Sequence, residues 1–221
     1  MSIQPPTRQE IEHQLGSVPI FPLPGVVFLP SSLLPLHVFE PRYRDLVRDA
    51  LAGSGLFAVP QLLPGWQTRY QGTPDVHAIA GLGQIVRHQD LDDGRYNIIL
   101  HGVGRVRILA ENPVDTRYRQ VRATLLADLR PSEAELHELV GQVRALGSSL
   151  VQAKPELAGA LARVGEGFRD PVRYIDSVAH LVLTDPETRQ SYLEADDVVE
   201  RVGMVETALA TVLAGGASVE A

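Results

Sequence analysis

The stretch Val18–Arg44, VPIFPLPGVVFLPSSLLPLHVFEPRYR, decides how the whole chain is read. No charged residue occurs between Val18 and Phe39, yet Pro19, Pro22, Pro24, Pro30, Pro35 and Pro41 are spread through the segment. An uncharged run of this length could span a bilayer as a helix. A proline inside a helix removes a hydrogen bond and clashes with the preceding turn, at about 3 kcal/mol each. Repeated prolines and the Ser31-Ser32 pair therefore exclude a membrane helix. In a sheet, proline is confined to an edge, a bulge or a strand start. VPIFPL (18–23) and LLPLHVF (33–39) are thus read as short edge strands joined by tight loops, with Pro24-Gly25 as a turn.

Working outward, PRYRDLVRDALA (41–52) places Pro41 at the first helical position, where its missing N–H costs nothing. Tyr43, Leu46, Val47, Ala50 and Leu51 then share one face. LFAVP (56–60), HAIAGLGQIVRHQ (77–89), RYNIILHGVGRVRIL (95–109) and YRQVRATLL (118–126) read as strands. Asp93-Gly94 marks a hairpin with both residues able to take positive φ. Gly102 and Gly104 mark a bend or bulge, and Tyr118, Gln120 and Arg122 share a strand face. After Pro131 the pattern becomes helical. Ser132 and Glu135 form a capping box, and the helix they open ends at Lys154-Pro155. VRYIDSVAHLVL (172–183) is a second helix, Asp185-Pro186 starts a third, and a last helix runs from about 196 to 213. In that helix Val198, Val202, Val205, Leu209 and Val212 make a lengthwise packing seam.

These elements give an α+β chain. The expected domains are a flexible segment at 1–16, a β-rich domain at 17–127 with one helix near 41–52, an α-helical bundle at 128–214, and a frayed tail at 215–221.

The totals narrow the function. The chain has 221 residues, is 44% hydrophobic and carries a net charge of −7, an ordinary globular balance. Nucleic-acid binding needs clustered Lys and Arg, but Lys154 is the only lysine. Cysteine is absent, which removes thiolate and disulfide chemistry and fits a cytoplasmic location. The opening MSIQPPTRQEIEHQ has the wrong charge pattern for a signal peptide.

Catalytic and ligand motifs fail one by one. Gly53-x-Gly55-x-x-Ala58 follows a helix and leads into a strand, the reverse of a dinucleotide site. His137-Glu138 lacks the second histidine of a zinc protease motif, since Gly141 stands there. His77 and His101 read as hydrogen-bonded strand residues, and Asp90, Asp92 and Asp93 as a solvated turn. Ser148 and Ser149 lie in helical sequence without a nucleophile elbow, and Lys154 is a poor base at a helix end. No catalytic, metal or cofactor residue is expected.

Several segments, in order, resemble a known family. VPIFPLPGVVFLP followed by LLPLHVFEPRYRDLV is similar to the start of the amino-terminal substrate-binding domain of Lon proteases. GLGQIVR (81–87) and GRYNIILHGVGRVRI (94–108) resemble that family's glycine-bearing strands. RQSYLEADDVVERV (189–202) resembles its closing helical pattern, with Gln190, Leu193, Glu194 and Arg201 matching. The resemblance covers about 17–212. It implies a PUA-like β-barrel followed by a helical bundle, and a non-catalytic module that binds proteins. The ATPase module and Ser–Lys peptidase of full Lon have no counterpart in this sequence, so proteolysis is not carried over.

The function expected from residues and resemblance together is binding of protein or peptide, in quality control or as an adaptor. The partners are unfolded or specific clients, with a separate protease or chaperone as a further expected partner. Phe28, Leu29, Leu34, His37, Phe39, Arg42 and Tyr43 are the candidate contact residues, because a proline-fixed loop loses little entropy on binding. Each of the large apolar residues has core packing as its alternative. The alternative function is RNA binding on a PUA-like fold. A homodimer through the valine seam stands against the seam being bundle core.

Overall fold

The computed structural model describes residues 6–69, 72–165, 168 and 170–215. It is α+β, and its residues divide between Leu126 and Ala127 into two compact units.

The first unit starts with a helix where a flexible segment is expected. Helix α1 (Arg8–Gln14) is held by a capping box in which Thr7 and Glu10 satisfy each other's backbone N–H groups. Ile11 anchors it in the core beside Val18 and Ile20. Residues 1–5 of the expected flexible segment lie outside the described residues, as do 216–221 of the expected tail.

Six strands follow: β1 (Val18–Pro19), β2 (Leu33–Val38), β3 (Leu56–Val59), β4 (Ile79–Asp90), β5 (Tyr96–Glu111) and β6 (Gln120–Leu125). They form one antiparallel sheet in the order β1-β6-β5-β4-β3. The long β5 pairs with β4 along one edge and with β2 and then β6 along the other. The ends of the sheet meet, because residues just after β1 run parallel to β3 and the chain after it, with Phe21 N–H donating to Ala58 O and Leu23 N–H to Pro60 O. Helix α2 (Pro41–Ala52) buries Tyr43, Leu46, Val47 and Ala50 in a cluster with Phe28, Phe57, Ile85 and Leu100.

Glycines position the proline-rich segment. A Cβ on Gly81 would lie 2.0 Å from the Phe28 carbonyl oxygen, and one on Gly102 would lie 2.3 Å from that of Leu29. A Cβ on Gly83 would strike the Phe28 ring at 2.5 Å. Residues 28–30 thus press their backbone onto two bare spots of β4 and β5. The chain then turns through Pro30 and Ser31, whose φ of 62° is the one positive value at a non-glycine described residue. This is a type II turn, with proline second and the left-handed residue third. Ser32 Oγ donates to Leu29 O at 2.6 Å, Ser31 N–H to Gly102 O at 2.8 Å, and Gly102 N–H to Ser32 O at 2.9 Å. These bonds launch β2.

Beyond Gly102 the pairing skips Val103, so the expected bulge sits there. At the β4–β5 hairpin only Gly94 has positive φ, at 75°. Gly94 N–H donates to Leu91 O, and Leu91 N–H to Arg95 O. This is a longer turn ending in one left-handed glycine, rather than the two-residue turn expected at Asp93-Gly94. Tyr118 does not share an outward face with Gln120 and Arg122. It is buried in the α2 cluster, and its hydroxyl donates to Asp49 Oδ2 at 3.0 Å. Burial, then Asp49, push that phenol up to about 12.

The second unit contains α3 (Glu133–Ala153), α4 (Ala158–Gly165), α5 (Pro171–Val182), α6 (Pro186–Glu194) and α7 (Val198–Leu213). Ser132 caps α3 by accepting from Glu135 N–H. Asp170, Asp185 and Asp197 cap α5, α6 and α7 in the same way, so each of these helices starts where an oxygen meets its free N–H groups. Helices α3 and α5 pack on α7. The seam Val198, Val202, Val205, Leu209 and Val212 is fully buried within this unit, which takes it out of reach of a second copy.

Beside the seam, Arg201 is 1% exposed and donates to Asp176 Oδ1 at 3.0 Å and Asp128 Oδ1 at 2.6 Å. Tyr192 donates its hydroxyl to the same Asp176 oxygen at 2.7 Å. Burial works against the Arg201 charge, but Asp176, Tyr192 and Asp128 outweigh it and hold the guanidinium protonated.

Two tests follow from this packing. Gly81→Ala and Gly102→Ala should each cost about 3 kcal/mol or more in urea unfolding, since their clashes are with backbone. Gly104→Ala should cost far less, because its Cβ meets only the end of the Leu125 side chain at 3.3 Å. Arg201→Met, which strands a buried carboxylate, should destabilise the second unit by about 3–5 kcal/mol. Adding Asp176→Asn, which removes the buried charge but keeps an acceptor for the Tyr192 hydroxyl, should restore much of that loss.

Candidate functional site

Strand β2 is an edge. Among the described residues it pairs only with β5, and its far side carries no strand. The Gly102 N–H bond to Ser32 O sets the alternation along it. Leu34 and Leu36 fall in the hydrogen-bonded pairs, and Leu33, Pro35 and His37 in the others. The missing N–H of Pro35 therefore faces the open edge, where it removes a donor that another strand would use. Pro35 both tolerates the edge and protects it.

The side chains follow the same alternation. Leu34, Leu36 and Val38 turn inward against the α2 cluster. Leu33, Pro35 and His37 turn outward, and Phe39 extends that face. Leu33 is 55% exposed and Phe39 is 60% exposed. Across the sheet, Leu33 is opposite His101, Pro35 opposite Ile99 and His37 opposite Asn97. Arg87 of β4 comes next to Ile99, and Gln89 next to Asn97. The result is an outer sheet face with an apolar stripe and a polar border.

His37 fixes one end of the stripe. Its Nδ1 lies 2.7 Å from Asn97 Oδ1, and Arg95 Nη1 lies 3.2 Å from its Nε2. Arg95 can only donate, so Nε2 accepts and Nδ1–H donates to Asn97. Asp93 holds Arg95 from the other side. The imidazole is thereby oriented, and it stacks on Phe39 with ring centres 6.2 Å apart and planes at 27°.

The other expected contact residues lie elsewhere. Phe28 and Leu29 are 2% and 0% exposed, because the glycine contacts seat them under the sheet. Tyr43 is core as well, with its ring edge-on to Phe21 at 3.9 Å. Leu34 is half-buried and faces inward. Arg42 lies over the Tyr43 ring at 4.5 Å and is ion-paired to Glu40 at 2.9 Å. It lines a separate polar cleft of about 440 Å³ with Tyr43, Arg117 and Arg119. The face therefore unites His37 and Phe39, and adds Leu33, Pro35 and Asn97, which the sequence reading omits. A usable signal was present: His37 is the one polar residue in LLPLHV, and its parity puts Leu33 and Pro35 outside.

Residues considered for chemistry do not assemble a site. Ser148 Oγ and Ser149 Oγ donate to the Arg144 and Ala145 carbonyls of their own helix. Among the described residues no three His, Asp or Glu side chains converge on a metal position, and no helix is long and apolar enough to cross a membrane.

Comparison with known proteins gives a consistent result. The family described as the ATP-dependent protease La (LON) substrate-binding domain matches residues 17–211. The chain is 28% identical over 219 residues to Lon protease 2 of Sorangium cellulosum, covering 91% of this chain and 25% of that one. It is 24% identical over 190 residues to the Lon protease of Desulfosudis oleivorans, covering 86% and 23% respectively. It thus spans about a quarter of the length of such relatives. In solved structures, the N-terminal domain of the Mycobacterium avium complex Lon protease superposes with a TM-score of 0.68 at 17% identity, covering 88% of this chain and 98% of that one. The Lon N-terminal domain protein from Xanthomonas campestris gives 0.59 at 24% identity, covering 86% and 97%.

The burial pattern separates face from core experimentally. Leu33→Asp and Phe39→Asp should each change unfolding free energy by no more than about 0.5 kcal/mol, as surface substitutions do. Phe28→Ala should cost about 3–5 kcal/mol, as a large core deletion does. Thermal and urea melts of the three variants check both statements.

Proposed function

The chain belongs to the family of Lon substrate-binding domains, and we propose that it is a non-catalytic recognition module that captures exposed apolar segments of protein clients. The carrying observation is that Leu33 and Phe39, both more than half exposed, lie on one outward sheet face. A single exposed apolar side chain is ordinary, but Leu33, Pro35 and Phe39 share one face at alternate positions, as the residues of an interaction patch do. Pro35 and the His37–Asn97 contact hold the backbone and ring in place, so little ordering entropy is spent on binding. An unfolded client exposes scattered apolar side chains, and Leu33, Pro35 and Phe39 offer a matching stripe. His37, Asn97 and Arg87 supply polar contacts to its backbone.

In this reading the sheet closed through residues 20–23 is a PUA-like β-barrel spanning 17–127, and the helices of 128–214 are a bundle. A role in protein quality control or as an adaptor, alone or with a separate protease or chaperone, fits such a module. RNA binding is not favoured. Arg48, Arg69, Arg95 and Arg119 each hold a carboxylate, so these arginines are committed within the protein.

The test is binding of a fluorescently labelled, permanently unfolded polypeptide, followed by anisotropy. The Leu33→Asp/Phe39→Asp double variant should bind at least about tenfold more weakly, while keeping its melting temperature. Unchanged affinity in a folded double variant would refute the site.

A further inference from the structure

The helical unit carries a groove that uses no residue of the β2 face. A groove of about 660 Å³ runs between the α5–α6 turn and α7. Val182, Leu183, Met204 and Ala208 give it an apolar lining, and Asp185 and Glu200 line it as well. Gly203 and Thr207 line it without long side chains, so a second helix could approach closely. Its volume falls within the range of specific binding sites, which typically pair an apolar lining with a few polar groups.

Charge says what would fill it. Residues before 127 hold 12 Arg and Lys against 11 Asp and Glu; residues from 127 on hold 8 against 16. The net negative charge of the chain is therefore carried by the helical unit. Asp185 is kept ionised at the groove by hydrogen bonds from the Thr188 N–H and hydroxyl. Glu200 is exposed on α7, one turn before Met204. An apolar groove with two carboxylates in its lining, in an acidic unit, complements a helix with an apolar face and basic flanks.

We infer that this groove docks a basic amphipathic helical segment of a partner protein, with apolar residues against the apolar lining and a Lys or Arg at Glu200. The site is independent of the β2 face, so one module would hold a client and a second partner together.

The experiment uses the whole chain and a labelled peptide of about 15 residues with Leu at helical spacing and Lys elsewhere. Two control peptides carry Glu for Lys, or Ser for Leu. The Leu/Lys peptide should bind at least about tenfold more tightly than either control. Ala208→Trp, which fills the groove, should remove most of that binding. The exposed substitution Glu200→Arg, which leaves the fold intact, should weaken it several-fold. Leu33→Asp/Phe39→Asp should leave it unchanged, so failure here is distinguishable from failure of the β2 site. Equal binding of a control peptide, or full binding by both groove variants, would overturn the inference. So would a dimer of the chain that Ala208→Trp dissociates, since a second copy would then occupy the groove.

Discussion

The first unit depends on backbone meeting backbone where no side chain intervenes. The carbonyls of Phe28 and Leu29 rest on Gly81 and Gly102, at positions where a single Cβ would fall within 2.3 Å. This contact places Phe28 between β4 and α2. It lets the chain turn at Pro30-Ser31, and the turn sets the direction of β2. Were the segment to sit even an ångström higher, Phe28 would lose its pocket. Burial of a side chain of that size contributes about 2–3 kcal/mol. The outward parity of Leu33, His37 and Phe39 is thus inherited from two glycines on other strands.

The second unit solves its packing differently. The α7 seam is purely apolar, but beside it Arg201 ties α7 to Asp176 of α5 and to Asp128. Tyr192 of α6 donates to the same Asp176 oxygen. A buried charge is expensive unless it is paired, and two carboxylates pair this one although its Nε makes no hydrogen bond. Once partnered, it allows few alternative arrangements of the helices that supply the partners. The α5–α6 turn and α7, which border the groove, belong to the elements joined by this network.

Much of this was legible in the sequence. The strands after residue 55, helix α2 with its buried face, and the α7 seam all follow from periodicity and caps, because local pattern decides them. The close approach at Gly81 and Gly102 was not legible, since it joins residues more than fifty positions apart; Gly102 signalled only a bend or bulge, and Gly81 carried no such signal. The sequence therefore left Phe28 and Leu29 open between contact surface and core, and the structure seats both in the core. Hydrophobicity alone cannot tell a residue seated under a sheet from one displayed on it. For Tyr43 the sequence did hold the deciding signal, since the helical periodicity that puts it on the apolar face of α2 also implies burial. The capping box of α1 is readable as Thr7-x-x-Glu10 ahead of Ile11. The groove beside α7 could not be foreseen, because it depends on how the α5–α6 turn meets α7.

Client binding at β2 requires a displayed face supported by a sealed plug. The direct measurement is a nuclear magnetic resonance titration of the labelled chain with an unfolded polypeptide. It follows backbone amides and the side chains of Leu33, His37, Phe39 and Asn97. Shifts should concentrate on these residues and on their neighbours Ile99 and Arg87, while Phe28, Leu29 and Tyr43 stay in place. Shifts centred on Phe28 and Leu29, with Leu33 and Phe39 unmoved, would contradict it.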